Sequence, residues 1–158
     1  MSGDRVPMTP EGFKNLKKEL QKLKTVDRQE VIKLIEYARS LGDLSENAEY
    51  ETAKDKQSFI EGRIQELEGK LTMAEVIDPK AITDKDRVVF GLTVTIEDVE
   101  TSEKKKYQLV GADESDPDNG KISITSPIGS ALIGKEIDDD VQVRTPGGLR
   151  EFMLVDIE

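Results

Sequence analysis

The chain has 158 residues and a formal net charge of −10, with 35% charged residues, 4% aromatic residues and no tryptophan. This composition is more typical of long solvent-exposed helices than of one large hydrophobic core. Cysteine and histidine are absent, which excludes disulfides, thiolate or imidazole metal ligands, cysteine nucleophiles and histidine bases. Any bound metal would have to be a hard, oxygen-binding ion such as Mg²⁺.

Negative charge predominates in both halves of the chain. Residues 1–78 carry 13 Lys or Arg and 16 Asp or Glu, and residues 79–158 carry 10 and 17. This charge repels free DNA or RNA, so we expect any nucleic acid contact to be local or arranged by another protein. The N-terminal segment has no apolar core of signal-peptide length, and no apolar run approaches the roughly 20 residues that span a bilayer. We therefore expect a soluble, cytoplasmic protein.

Apolar residues at helical spacing predict a long first helical arm. The predicted seam consists of Phe13, Leu16, Leu20, Leu23, Val31, Leu34, Ala38 and Leu41. In its middle, Asp27 and Glu30 have the spacing of a capping box, and Val26 and Val31 that of a hydrophobic staple. We expect a kink or a short break there.

A second, heptad-spaced seam follows and has one polar layer at Gln57. It consists of Ala53, Gln57, Ile60, Ile64, Leu67, Leu71 and Ala74. Pro79 is predicted to end this helix. Because Gly42 lies in a short turn between the seams, the pattern predicts an antiparallel helical hairpin roughly 45 Å long, from ~1.5 Å per residue.

Carboxylates crowd into the tip of this hairpin, residues 42–49. Asp43 and Glu46 have the D-x-x-E spacing of a capping box, which would place them at the start of the second helix. Alternatively, the two carboxylates do chemistry at an exposed end, as half of a Mg²⁺ site that a partner completes. The two interpretations are compatible, because a cap could hold the pair until the partner arrives.

Three further residues border the tip. Arg39 and Lys54 are ordinary surface charges or ion-pair partners, or else they counter a phosphate or acidic groups lining a pore. Tyr50 is either a packing residue at the hairpin end or a platform for a nucleic acid base.

The C-terminal half predicts a different structure. β-branched or alternating runs predict strands in "RVVFGLTVTIED", "KKYQLVG", "KISIT", "DDVQVRT" and "REFMLVDIE", with a hairpin turn at "TPGG". Residues 126–134 predict one short helix with Ser126 as N-cap and Pro127 at its first position. Residues 111–121 predict a flexible acidic loop. The fold class is therefore α+β, with a coiled-coil hairpin over 1–78 and a small antiparallel sheet with one helix over 79–158.

Several segments carry a resemblance to a known family. "ARSLGDLSENAEYETAK" with "DKQSFIEGRIQELEGKL" closely resembles the tip and second helix of the bacterial Gre-family transcript cleavage factors. "VPMTPEGFKNLKKEL" resembles the N-terminal start of that family, and "SPIGSALIGKEIDDDVQVRTPGG" resembles its C-terminal domain. The mildly acidic hairpin fits the GreA branch of the family better than the more basic GreB branch.

The resemblance implies a cofactor of RNA polymerase rather than an enzyme. The hairpin would enter the polymerase secondary channel, where Asp43 and Glu46 would help to hold a shared Mg²⁺ and the attacking water. The polymerase would then cleave its own backtracked RNA near the extruded 3′ end. Arg39 and Lys54 match the family's basic positions near the tip. The C-terminal domain would resemble FK506-binding proteins and dock on the polymerase rim, with Ser126, Pro127 and Ile128 in the docking surface.

Three alternatives remain open at this point. A Gre-like inhibitor would act from the same channel without stimulating cleavage, and a coiled-coil scaffold or chaperone would have no chemistry. A prolyl isomerase is suggested by the implied C-terminal fold, but residues 79–158 contain only Phe90, Tyr107 and Phe152 as aromatic residues, too few to line the usual pocket. A monomer suits insertion into a channel.

Overall fold

The computed structural model describes residues 5–43 and 47–158. The chain divides into two compact units. One is the helical segment Phe13–Met73, and the other joins the described residues up to Gly12 to the segment Ala74–Glu158. The division predicted between residues 78 and 79 differs from this arrangement, because the N-terminal segment packs with the C-terminal half.

Three α-helices and one π-helical turn form the predicted hairpin. They are α1 (Pro10–Lys22), the π-turn (Leu23–Asp27), α2 (Arg28–Ser40) and α3 (Ala48–Met73). Helix α1 begins with Thr9 as its cap, because the Thr9 hydroxyl accepts the backbone N–H of Gly12 at 3.1 Å. Among the described residues, no helix is both long and apolar enough to cross a membrane.

The π-turn replaces the break that was predicted near Asp27. Asp27 has helical backbone angles and makes no side-chain cap hydrogen bond, and Val26 is exposed, so the capping box and the staple were wrong. Buried positions on this arm step by seven from Leu16 to Leu23 but by eight from Leu23 to Val31. A π-turn accommodates one extra residue without rotating the following helix, which keeps Val31 on the inner face.

After the π-turn the predicted seam is confirmed at Val31 and Ala38, which are buried. Ile35 is buried instead of the predicted Leu34, and Leu34 and Leu41 are 44% and 51% exposed. On α3 the predicted seam is confirmed at Ala53, Ile60, Ile64 and Leu67, which are all buried.

Ion pairs between the arms fix their antiparallel alignment. Arg28 binds both carboxylate oxygens of Glu61 at 2.8 and 2.9 Å. Arg63 does the same to Glu19 at 2.8 and 3.1 Å. The Arg28 guanidinium holds the pKa of Glu61 below its ordinary value. Such partly exposed pairs each contribute only about 0.2–1 kcal/mol, so they select the alignment more than they stabilise it.

Helix α3 ends at Met73, before the predicted end at Pro79. Residues 74–76 instead form strand β2 (Ala74–Val76), which pairs in parallel with β1 (Val6–Met8). This two-stranded sheet belongs to the same unit as the C-terminal half. The Ile77 N–H extends the pairing by donating to the Met8 carbonyl at 2.9 Å.

A five-stranded sheet forms the centre of the C-terminal unit. Its strands are β3 (Thr93–Asp98), β4 (Lys104–Val110), β5 (Lys121–Ser123), β6 (Asp140–Thr145) and β7 (Gly148–Ile157), in the order β5-β4-β3-β7-β6. The pair β4–β5 is parallel, so the sheet is mixed and not wholly antiparallel as predicted. The tight β6–β7 turn at residues 145–148 is confirmed. Alternate residues of β3 are buried against helix α4 (Pro127–Leu132) and the other strands.

The segment predicted as a flexible acidic loop is ordered by its own carboxylate. Residues 112–114 and 117–119 form short 3₁₀ turns. Glu114 accepts hydrogen bonds from the backbone N–H groups of Thr9 and Gly111 at 3.1 and 3.2 Å, and also from the Thr9 hydroxyl. This carboxylate therefore ties the loop to the residue that caps α1.

Candidate functional site

The first arm of the hairpin ends with a local glycine turn. The Leu41 N–H donates to the Ala38 carbonyl at 3.2 Å, and the Gly42 N–H donates to the Arg39 carbonyl at 3.3 Å. Gly42 has a φ of +111°, a conformation that residues with a Cβ rarely adopt. The glycine therefore ends α2 and turns the chain directly before Asp43.

Asp43, the first of the two predicted acidic site residues, comes directly after this turn. Asp43 follows Gly42 and is exposed, as a group acting on a partner must be. Glu46 lies outside the described residues. Helix α3 begins at Ala48, and the predicted pairing of Asp43 with Glu46 in a capping box therefore depends on residues outside the described ones.

The residue that caps α3 is Asn47, which the sequence analysis missed. Its Oδ1 accepts the Tyr50 backbone N–H at 3.1 Å. Its Nδ2 donates to the Ala38 carbonyl on the opposite arm at 2.6 Å. Asparagine directly before a helical run is a standard cap signal and could have been recognised, whereas the bond between the arms has no local sequence signal.

The predicted tip-supporting residues lie on both arms at this end of the hairpin. Arg39 is exposed in the last turn of α2. Lys54 is exposed on α3, where its Nζ donates to Gln57 at 3.0 Å. Tyr50 is half-buried, and its backbone N–H donates to the side chain of the cap residue Asn47. The two cations thus remain accessible to an anionic partner, and Tyr50 has a partly packed ring.

An apolar groove beside the tip was also missed by the sequence analysis. It has a volume of about 400 Å³ and is lined by Leu34, Tyr37, Ala48, Glu49, Thr52, Ala53 and Lys56. Leu34 and Tyr37 are 44% and 58% exposed on α2. Leu34 and Tyr37 therefore add exposed apolar surface to the same helix that ends before the acidic turn.

The donors at the tip suit a hard cation, but only as part of a larger set. Carboxylate oxygens are the ligands that Mg²⁺ prefers, and Mg²⁺ commonly takes one or two protein carboxylates together with water and substrate phosphate. Within residues 5–43 and 47–158, no cluster of three or more His, Cys, Asp or Glu side chains could hold a metal. A Mg²⁺ ion held by Asp43 and Glu46 would therefore need its other ligands from elsewhere.

The predicted docking residues begin helix α4. The Ser126 hydroxyl accepts the Gly129 N–H at 3.0 Å and donates to the Ser123 carbonyl at 2.6 Å, which confirms Ser126 as the N-cap. Ile128 packs against the core of the sheet, and Pro127 is exposed. Of the three, Pro127 therefore presents the most surface to a partner.

A shallow depression near Ile128 bears on the prolyl isomerase alternative. Its volume is about 60 Å³, well below the ~300 Å³ at which small-molecule sites begin. Asp98 and Arg150 form an ion pair at its wall. The Arg150 guanidinium and the backbone N–H groups of Glu100 and Thr101 hold the pKa of Asp98 below its ordinary value. The depression is therefore much smaller than an ordinary small-molecule site and has an ion pair at its wall, and neither feature favours the prolyl isomerase alternative.

Comparison with known proteins assigns both halves to one family. The family model "Transcription elongation factor, N-terminal" matches residues 6–76, and "Transcription elongation factor, GreA/GreB, C-term" matches residues 83–158. Transcription elongation factor GreA of Syntrophus aciditrophicus is 57% identical over 98% of this chain and 95% of its own length. The GreA protein of Thermodesulfovibrio yellowstonii is 53% identical over 98% of this chain and 97% of its own length.

Among solved structures, the GreA factor homolog 1 of Thermus thermophilus is 30% identical, with 98% of this chain and 99% of that chain covered and a TM-score of 0.44. The family matches and the full-length GreA relatives agree with each other over both halves of the sequence. The chain therefore belongs to the GreA/GreB family of transcription elongation factors.

Proposed function

We propose that this protein binds RNA polymerase and stimulates the polymerase's own Mg²⁺-dependent cleavage of backtracked RNA. It is a transcription elongation factor that activates RNA polymerase and is not an enzyme by itself. The observation that carries the proposal is the hairpin end, where Gly42 stops α2 and presents the exposed Asp43 carboxylate. Full-length relatives that are named as elongation factors support the same function.

The hairpin would act inside the secondary channel of the polymerase, as a monomer, close to the extruded RNA 3′ end. A long helical hairpin with carboxylates near its end suits such a channel, because ion pairs between its arms hold the two arms together. Pro127, together with Ser126 and Ile128, would contribute to docking on the polymerase rim.

Asp43 and Glu46 would be the protein ligands that this chain adds to the polymerase active centre. Mg²⁺ bound there supplies a water activated for attack on the phosphodiester and stabilises the leaving oxygen. The two carboxylates would bind and orient the shared Mg²⁺ ion, while Arg39 and Lys54 would counter phosphate charge nearby. The chain has no histidine or cysteine, so a borrowed metal site gives it a route to an activated water.

The test uses a backtracked RNA polymerase complex with 3′-labelled RNA and Mg²⁺. We expect the wild-type protein to release a short 3′ fragment. The double variant Asp43→Asn, Glu46→Gln should lower the cleavage rate by about 100-fold or more, because several kcal/mol of transition-state stabilisation are lost. Binding to the polymerase should change little.

The matched control is Glu49→Gln, Glu51→Gln. It makes the same charge change on two exposed carboxylates in the first turn of α3, and we expect it to retain cleavage. If the Asp43, Glu46 variant cleaved as fast as the wild type, the assigned chemistry would be wrong. If the wild type blocked elongation without releasing a fragment, the inhibitor function would replace the proposal.

A further inference from the structure

Asn47 bonds to both arms of the hairpin through a single side-chain amide. Its Oδ1 accepts from the Tyr50 N–H on α3 at 3.1 Å, and its Nδ2 donates to the Ala38 carbonyl on α2 at 2.6 Å. The orientation of the amide is determined by its partners, because the flipped amide would place oxygen against a carbonyl and N–H against N–H. The backbone carbonyl of Asn47 also accepts the Glu51 N–H at 3.1 Å.

The bond to Ala38 closes the base of the turn that carries Asp43. The Ala38 carbonyl is already the acceptor for Leu41 in the last turn of α2. By joining the same carbonyl, Asn47 ties the two ends of the segment 38–47 together. A segment with fixed ends samples fewer conformations than an open one, so the bond restricts where the exposed Asp43 carboxylate can lie.

The need to cap α3 does not explain why the Asn47 side chain also donates a hydrogen bond. A cap needs only an acceptor, and Ser, Thr or Asp would serve α3 about equally well. Among the common cap residues, only asparagine has its acceptor and its donor on two separate atoms, and glutamine would be one methylene too long for the same two bonds. The side-chain N–H of Asn47 therefore has a role separate from starting the helix.

We propose that Asn47 is a positioning residue that holds Asp43 in the place required for transcript cleavage, through its bond to the Ala38 carbonyl. This inference rests on the proposed function. Asn47 need not touch RNA or metal, because it acts through the turn. Since displacement of a reacting group by about 1 Å costs on the order of 100-fold in rate, the loss should appear in the maximal rate and not in polymerase binding.

The experiment separates the two hydrogen bonds by substitution. Asn47→Ser keeps a neutral cap acceptor, but its hydroxyl is too short to reach Ala38 at the same time. Asn47→Asp keeps the size and the cap acceptor and loses the donor. Asn47→Ala loses both bonds and serves as the structural reference. Each full-length variant is titrated into the backtracked complex, and helical content and melting temperature are measured in parallel.

We expect Asn47→Ser to melt close to the wild type, and Asn47→Asp to melt lower because it places a carboxylate oxygen against the Ala38 carbonyl. Both variants should half-saturate cleavage at an unchanged factor concentration. Their maximal cleavage rates should fall about tenfold or more. Asn47→Ala should also lower the melting temperature.

Maximal rates equal to that of the wild type in both cap-retaining variants would overturn the inference while leaving the proposed function intact. A parallel loss of melting temperature and of half-saturation would also overturn it, because the role would then be structural. If the wild-type protein itself released no fragment, the proposed function would fail and this inference with it.

Discussion

At the scale of single residues, Gly129 shows how one missing side chain lets helix α4 approach the sheet closely. Gly129 is buried in α4, and a Cβ at this position would lie 2.0 Å from the backbone carbonyl oxygen of Ser123. That carbonyl is also the acceptor of the Ser126 hydroxyl. The start of α4 therefore packs directly against the end of β5, and this contact supports the exposed Pro127.

We expect Gly129→Ala to lower the free energy of unfolding by about 1–3 kcal/mol, because backbone atoms must move to relieve the clash. Gly62→Ala is the matched control, since Gly62 is exposed in α3 and a Cβ there would meet nothing within 4 Å. It should stabilise the hairpin by about 0.5–1 kcal/mol through helix propensity. Chemical denaturation of both variants measures the difference, and an unchanged Gly129→Ala midpoint would contradict the close approach.

At the scale of elements, the π-turn Leu23–Asp27 keeps two helical segments in phase. Each residue of an α-helix turns the chain by about 100°, so an eight-residue step would rotate Val31 away from α3. The π-turn contains one more residue per turn than an α-helix and so compensates for this extra rotation. The ion pairs Glu19–Arg63 and Arg28–Glu61, both at 2.8 Å, lie before and after the turn, so both segments present the same side to α3.

We expect deletion of the exposed Thr25 to leave a folded hairpin with a continuous α-helix, because the step from Leu23 to Val31 becomes seven. Deletion of the exposed Lys33 is the control, since it rotates Ile35 and Ala38 out of the seam. Circular dichroism and thermal melting of the two variants provide the measurement. The explanation fails if deletion of Thr25 destabilises the hairpin as much as deletion of Lys33.

At the scale of the whole molecule, the N-terminal segment stabilises the unit formed by the C-terminal half. Met8 is 2% exposed, and its strand pairs with β2. The neighbouring Thr9 is bound by Glu114. Residues before Gly12 therefore belong energetically with Ala74–Glu158, although they are distant from that segment in the chain.

We expect Met8→Ala to lower the free energy of unfolding of the C-terminal unit by about 2–5 kcal/mol, as for other buried large-to-small changes. Hydrogen exchange should show lost protection in β2 and around Gly111, with α3 unchanged. Leu23→Ala, in the hairpin seam, should produce the opposite pattern. Lost protection in α3 after Met8→Ala would argue against the division into these two units.

Some features could be predicted because short-range chemistry decides them. Ile60, Ile64 and Leu67 repeat at an uninterrupted helical spacing, so their burial followed from the sequence. The Ser126 cap depends on partners within three residues and was also predictable. Local sequence signals gave a wrong prediction where the same spacing is compatible with two different backbone structures. Asp27 has the spacing of a cap but lies in a continuous helix, because only packing against α3 favours the π-turn.

The sequence by itself determined the apolar seam of α3, the glycine turn with its acidic residue, and the resemblance to the Gre family. Only the tertiary structure decided that Ile35 replaces Leu34 in the seam of the first arm, that Asn47 reaches Ala38, that β1 pairs with β2, and that Glu114 binds Thr9. These contacts join residues whose neighbours in the chain do not reveal them. Their free energy depends on distances that exist only after the arms and strands have come together.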